Sequence, residues 1–512
     1  MHLAKDLSCI VLLLSTWAYA SLFNVREYGA KGDGQALDSP AINKAIQAAS
    51  QAGGGIVYLP AGTYLSGSIR LRSHITLQIG PGATIEATGD PNAYDQAEPN
   101  EYGDRYQYQD YGHSHWHNSL IWAEGQEDLT IMGPGRIYGR GLTRSQPRRG
   151  QPGPYVGNKS IALKNCRNVT IKDLTILQGG WFCILPTGVD NLIIENVRFD
   201  TNRDGINIDC CRNVRISNCS INSPFDDAIV LKSSFGLGMF RATEDVTITN
   251  CLVSGFRMGS MLDGTFVRDP MRAPDRDGPT GRIKFGTESN GGFKNITISN
   301  CVFDYCRGLA LETVDGGLLE DVTITNIAMR DIWNSPIFLR LGSRMRGPEG
   351  TPIGKLQRVL ISNIVVYNAD PRYCSIISGI PGHYIQDITI KNVMILCKGG
   401  GTKEDAQRTL PEREDAYPEP SMFGRTPAYG FFIRHAKGLI LEQIRLAFQD
   451  QDMRPPFILE DVSGIELRFV DTQHAQDVPI LALKDVQDLR TFQCRSVADT
   501  VIEKADRKDI YH

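Results

Sequence analysis

The chain carries no strong charge of either sign: 54 Lys and Arg stand against 58 Asp and Glu in 512 residues, a formal net charge of −4. It also lacks a long basic run of the kind that tracks a phosphate backbone, which argues against a nucleic-acid partner. Beyond the first twenty residues no apolar stretch approaches the roughly 20 residues that cross a bilayer, so no membrane span is expected. Nor does the composition shift anywhere between 21 and 512 enough to cut off a second domain. Length alone decides little, because repeat folds spend such a length on one elongated body.

What the chain does have is hydrophobic residues at 41%, ample for a core, and 51 glycines, which point to many turns. The first twenty residues read as an export signal. Lys5 lies in a short n-region, Ile10 to Leu14 form the apolar stretch, and Ala18-Tyr19-Ala20 is an A-x-A cleavage site before Ser21. Cys9 precedes the apolar stretch, so it is not placed as a lipoprotein cysteine would be. The expectation is a soluble, monomeric protein, secreted or periplasmic, whose mature part is residues 21–512.

One phrase recurs: Asn168-Val-Thr-Ile, Asn191-Leu-Ile-Ile, Asn213-Val-Arg-Ile, Asp245-Val-Thr-Ile, Asn295-Ile-Thr-Ile, Asp321-Val-Thr-Ile, Arg358-Val-Leu-Ile and Asp387-Ile-Thr-Ile. The tightest spacing is about 22 to 26 residues, and wider gaps read as one coil plus an inserted loop. Short β-branched strands ending in polar turns cannot bury both faces alone. Stacked coil on coil they can, which predicts an all-β, single-stranded parallel β-helix, a right-handed solenoid.

The Asn at the turn tolerates left-handed backbone angles, and its amide can bond to its counterparts one coil above and below. Glycosylation competes for Asn168 and Asn295, each followed by x-Thr. Twelve cysteines in an exported chain would ordinarily suggest disulfides. Yet Cys166, Cys219, Cys251 and Cys301 each follow an Asn at one point of the repeat, as a ladder of small buried thiols would; pairing among Cys183, Cys210, Cys211, Cys306, Cys374, Cys397 and Cys494 is left open. Asp38-Ser39-Pro40, then Ile42, Ala45, Ile46 and Ala49, then Gly53-Gly54-Gly55 give an N-cap, an early proline, an apolar face and a glycine stop, predicting an N-terminal capping helix. From about Asp488 the repeat fades, and residues 488–512 are expected to form the other cap.

A β-helix offers a long groove along one face, suited to an extended polysaccharide. Asp204 lies in Asn202-Arg203-Asp204-Gly205-Ile206, and Asp226-Asp227 follow about one coil later, so the three are expected side by side. Neighbours on a regular strand point to opposite faces; Asp226 and Asp227 can both reach the groove only at a bend, which Ser223-Pro224-Phe225 supplies. In isolation an acidic pair at a turn is usually a solvated surface feature. A third aspartate one coil away is what raises it to a candidate site.

The opening FNVREYGAKGDG at 23–34, Gly179-Gly180-Trp181, Asn202-Arg203-Asp204-Gly205-Ile206 and Asp226-Asp227 with Leu231-Lys232-Ser233 together resemble glycoside hydrolase family 28, the polygalacturonases and their pectin-degrading relatives, over most of residues 22–400. The resemblance implies inverting hydrolysis, with Asp226 as general acid and Asp204 and Asp227 holding the water, and with Asn202 and Lys232 binding substrate. Crowded carboxylates push one pKa upward, as an acid at neutral pH requires. The family's Gly-His-Gly and Arg-Ile-Lys are not kept. Arg282-Ile283-Lys284 reads as a false match, with Gly281 in the histidine's place and Glu312 in the lysine's. A glutamate there would repel a uronate carboxylate, so a neutral sugar is expected next to the cleaved bond. Arg203, Arg257, Arg282 and Arg307 are the cations available to compensate. Glu288, Glu312 and Asp315 fall on later coils as candidates to join the set, with a plain surface glutamate as the alternative for Glu312.

Residues 102–117 are rich in Tyr, Trp and His. His113, His115 and His117 alternate as a metal site on a strand would, but flanking Gly and Asp favour a loop whose Trp116 and Tyr111 stack on sugar faces. No metal and no cofactor are expected. Two rivals remain: a polysaccharide lyase using Ca²⁺ at the aspartates with Lys232 or Arg257 as base, and a non-catalytic carbohydrate-binding β-helix. The insertions at 258–280 and 399–427 would wall the groove if they fold over it, favouring action at chain ends.

Overall fold

The computed structural model describes residues 21–99, 111–143, 158–269 and 278–511; the expected export signal lies outside them. The repeat forms the predicted coil. Ile184–Thr187, Asp190–Glu195 and Arg198–Asp200 make one turn and Ile206–Asp209, Arg212–Ser217 and Ser220–Asn222 the next. They pair in parallel with Ile184 beside Ile206, Leu192 beside Val214 and Phe199 beside Ile221. Strand alternation sends one row inward on each face, so Ile121, Ile161, Ile184, Ile206, Ile229 and Ile283 stack as one fully buried column. Each such side chain contributes about 1.5–3 kcal/mol by burial. The molecule is a right-handed parallel β-helix.

Both ladders form. Asn168, Asn191, Asn213, Asp245 and Asn295 all have φ between 53° and 58°. The Asn213 amide donates to Asn191 at 2.8 Å, Asn191 to Asn168 at 2.8 Å and Asn168 to Asp128 at 2.8 Å. This left-handed corner is what lets the chain turn from one sheet to the next, and the repeated amide bonds hold the corners in register. Cys219, Cys251 and Cys301 lie buried at one point of successive coils, their thiols linked to one another and each donating to a nearby carbonyl at 3.2–3.3 Å. The eleven described cysteines are all thiols.

The capping helix runs Ser39–Gln51 and buries Ala41, Ile42, Ala45, Ile46 and Ala49. Asp38 does not cap it with its side chain; the carboxylate instead accepts from the backbone N–H groups of Lys31 and Gly32 at 2.6 and 2.9 Å, tying the preceding loop to the helix start. At the other end the repeat persists through Phe492, and Thr500–Ile510 then returns antiparallel along Leu481–Phe492, the one antiparallel pairing among the described strands. No helix among the described residues is long and apolar enough to cross a membrane.

Candidate active site

Asp204, Asp226 and Asp227 come together. They precede Ile206–Asp209 and Ile229–Ser233, adjacent strands of one sheet, and one oxygen of each lies within 4.8 Å of the others. Residues 224–226 form the expected bend, so strand alternation does not separate the acidic pair. The Asp227 backbone N–H donates to both Asp204 Oδ1 and Asp226 Oδ1 at 3.1 Å, orienting two carboxylates from one donor. Asp204 is fixed further by the Asn207 amide at 2.9 Å. Burial first and the Asp226 charge second push the Asp204 carboxyl well above the usual range, so the cluster keeps a proton to higher pH than an isolated carboxylate does. Asp226 is the least buried of the three, with 12% of its side chain exposed, and is the member placed to meet a ligand.

Cations surround the trio. Arg282 Nε lies 2.9 Å from Asp227 Oδ1, and Lys284 Nζ lies 3.9 Å from Asp227 Oδ2 and 3.3 Å from Glu312 Oε2. Arg282-Ile283-Lys284 therefore stands at the aspartates, whatever its place in a motif alignment: the strand Ile283–Ser289 lies directly beside Ile229–Ser233. Arg203 Nε is 3.4 Å from Asp226, and its guanidinium rests 3.7 Å from the Trp181 ring centre. Lys232 meets Glu288 at 2.7 Å. Burial opposes the Lys232 charge, but the Glu288 and Asp204 carboxylates outweigh it and hold the ammonium above its usual value. Burial likewise opposes the Glu288 charge, and Lys232 reverses that, holding Glu288 well below its usual range.

Glu312 is no surface glutamate. It is fully buried, and burial raises it to about 7 against the pull of Lys284 and Arg282. Asp315 does not join the aspartates: Arg344 grips it at 2.9 and 2.5 Å and the Arg346 backbone N–H adds a bond at 3.0 Å, a structural role. Asn202, beside the cluster in sequence, is half-buried, and its carbonyl oxygen has no hydrogen-bond partner among the described residues.

Two further residues of the site come from the insertion at 399–427. Glu419 forms ion pairs with Arg282 and with Arg307, the latter at 3.0 Å, and accepts from the Asn334 amide at 3.4 Å. The Tyr417 hydroxyl lies 3.4 Å from Lys284 Nζ. No motif marks them. Their only sequence signal is an acidic, aromatic stretch inside a break in the repeat.

The aromatic loop is corrected in one respect. Trp116 is buried, packed with Ala162, Trp181, Phe182 and Leu185, and its indole N–H donates to Thr187 Oγ1 at 3.1 Å, so it offers no open face to a sugar. The side chain of Tyr111 lies outside the described residues. The three histidines do not converge. His113 Nε2 lies 3.4 Å from Asn207 Oδ1, His115 bonds the Glu98 carbonyl at 2.9 Å and is held down at about 4 by burial, and His117 meets Glu124 at 2.8 Å.

Comparison with known proteins agrees with this architecture. Residues 22–131 match the rhamnogalacturonase A/epimerase, pectate lyase-like family, and residues 151–265 match the right-handed β-helix region family. A probable polygalacturonase of Vitis vinifera is 26% identical over 390 residues, 72% of this chain and 73% of the relative. An exo-poly-alpha-D-galacturonosidase of Dickeya chrysanthemi is 26% identical over 298 residues, 57% of this chain and 41% of the relative's own length. Among solved structures, an exopolygalacturonase of Thermotoga maritima aligns with a TM-score of 0.63 at 21% identity, covering 84% of this chain and 92% of the other. A family 28 exopolygalacturonase of Yersinia enterocolitica gives 0.65 at 20%, covering 90% and 80%. At those identities the structural likeness speaks for the fold. The chain is a polygalacturonase-like right-handed parallel β-helix protein, similar to glycoside hydrolase family 28.

Proposed function

We propose that the chain is an exported glycoside hydrolase that cleaves a pectic or related plant polysaccharide by inverting acid/base catalysis, at a neutral sugar. The observation that carries the reading is the trio itself: three carboxylates from two adjacent coils, two of them oriented by one backbone N–H and one retaining its proton to raised pH. Asp226, the most exposed, donates a proton to the leaving oxygen. Asp204 and Asp227 hold a water, and Asp227, paired with Arg282, draws its proton as it attacks the anomeric carbon from the opposite face. Arg282 orients Asp227, and Arg203 lies against Asp226.

The neutral sugar follows from the charges. Lys232 is matched by Glu288, Lys284 by Glu312 and Asp227, Arg282 by Asp227 and Glu419, and Arg307 by Glu419. A uronate carboxylate here would have to displace a buried internal partner, leaving that partner's charge uncompensated. The lyase alternative draws on the mutual approach of the three oxygens, but a Ca²⁺ there would sit against the Arg282 guanidinium, which already bonds Asp227.

The test is reducing-end release from homogalacturonan and from pectic fragments rich in neutral side chains, with and without chelator. Hydrolysis of the neutral fragments, indifferent to chelator, is expected, with ¹H NMR showing inversion at the new anomeric centre. An unsaturated, ultraviolet-absorbing product that disappears with chelator would replace this reading by the lyase. The export proposal is checked by sequencing the mature N-terminus, expected at Ser21.

A further inference from the structure

The last coils differ from the rest at one corner, the one between the second and third strands of a turn, where Asn196 stands in the turn described above. From Asp173 to Asn392 this corner is Asn or Asp on every coil, at φ 51–60°. Its amides form a second ladder: Asn326 donates to Asn300 at 3.1 Å, Asn363 to Asn326 at 3.0 Å and Asn392 to Asn363 at 2.8 Å. The next three coils put Gln443, Phe469 and Gln493 there, at φ 54°, 54° and 46°. A left-handed backbone penalises a residue with a Cβ and no short polar group to bond locally. Phe469 thus holds the conformation that its chemistry suits least, and it belongs to no buried core. It is 42% exposed, its ring set edge-on to the likewise exposed Phe492 at 5.7 Å. Strained residues of this kind cluster where ligands bind.

Beside Phe469 lies a trough of about 540 Å³. One side is this corner row from Asn363 to Gln493; the other is an outward row of the third strands, where Val365, Met394, Arg445 and Asp471 stand in register. The trough crosses four coil spacings, about 19 Å. It is separate from the aspartates, which precede the first strands of much earlier coils. The lining selects the occupant. The strands Lys355–Ala369 and Ile385–Gly399 are paired on both flanks, so an added peptide strand finds no open backbone edge. Arg445 and Arg495 are offset by Asp471, 3.5 Å from Arg495, and are too few to track a row of phosphates. Amides that both donate and accept, an aromatic ring and a short aliphatic floor match a pyranose, with its apolar C–H face and its rim of hydroxyls. We propose that the trough is a second, non-catalytic polysaccharide site, in which one sugar stacks on Phe469 and its neighbours bond the Gln443 and Gln493 amides. The site holds the polymer on one face of the coil while another part of it reaches the aspartates on a different face.

The test reads binding without cleavage, so its failure is distinct from failure of the hydrolase reading. Retention in affinity gels of pectic galactan and of homogalacturonan is compared between the full-length Asp226→Asn protein and the same protein carrying Phe469→Asn as well. Phe469→Asn gives the corner the residue that its φ favours, so the thermal midpoint should hold or rise while retention in at least one polymer weakens at least about fivefold. Arg445→Ala, at an exposed position, should weaken it in the same direction. Retention unchanged by Phe469→Asn, or no retention of the Asp226→Asn protein in either gel, would overturn the trough as a sugar site. A fall in the thermal midpoint would overturn it by making Phe469 a residue of the fold. A parent that sediments as a dimer, with a monomeric Phe469→Asn variant, would overturn it by giving the trough to a second copy of the chain.

Discussion

Two stretches of the same sheet face treat charge in opposite ways. Around Arg340 and Arg434 each guanidinium is spent on the fold: both meet Ser378 Oγ, at 2.8 and 3.1 Å, and both turn their remaining N–H groups to carbonyls of the insertion. Around Asp204, Asp226 and Asp227 the carboxylates crowd one another, one is pushed off its ordinary pKa, and one keeps partial access to solvent. The coils beneath are alike. Self-satisfied charge builds a wall, whereas mutually frustrated charge leaves reactivity to be used.

The sharpest way to break this contrast is Asp226→Asn, which keeps shape and removes the transferable proton. Glycan hydrolysis should fall by about 10²–10⁴-fold with circular dichroism unchanged. Equal rates for variant and parent would take the acid role from Asp226.

Glu312 gives the next largest effect. Its carboxyl is raised to about 7 when folded, whereas the unfolded chain releases that proton near its ordinary 4.5. The folded state thus binds more protons between these values, so stability is full below about pH 4.5 and falls as pH rises through 7, by about 3 kcal/mol in all. Glu312→Gln removes this dependence. The gap between variant and parent in urea midpoint should move in the variant's favour from pH 5 to pH 8; a constant gap would contradict the assignment.

On the wall side, Arg434→Met orphans carbonyls of the insertion, a loss of about 2 kcal/mol that should appear as faster limited proteolysis within 401–427 and little change elsewhere. Smallest is Asn213→Ala. It deletes one rung of the amide ladder and leaves alanine at φ 55°, at a cost of about 1 kcal/mol read from thermal unfolding.

The coil was legible because its turn demands a residue that tolerates φ near 55°, and Asn or Asp answers at nearly every corner. The aspartates were legible for the same reason: in a solenoid, sequence separation converts to spatial adjacency, and Asp204 and Asp227 are 23 residues apart. That rule ends where the repeat is interrupted. Glu419 reaches Arg282 across 137 residues, a distance no periodicity encodes. Trp116 misled for a different reason: an aromatic loop looks the same in sequence whether its rings face outward to a ligand or inward to Leu185. Arg282 and Lys284 were discounted through motif alignment, although their strand follows the aspartates by one coil.

The reversed strand Thr500–Ile510 also bears on how the molecule avoids its own kind. A parallel stack has no intrinsic length, and an uncapped last rung would template a neighbour's first. By turning back on itself and presenting Glu503, Lys504, Asp506, Arg507, Lys508 and Asp509 along the final described rung, the chain sets a hydrated, charge-mottled edge where a flat apolar one would invite pairing.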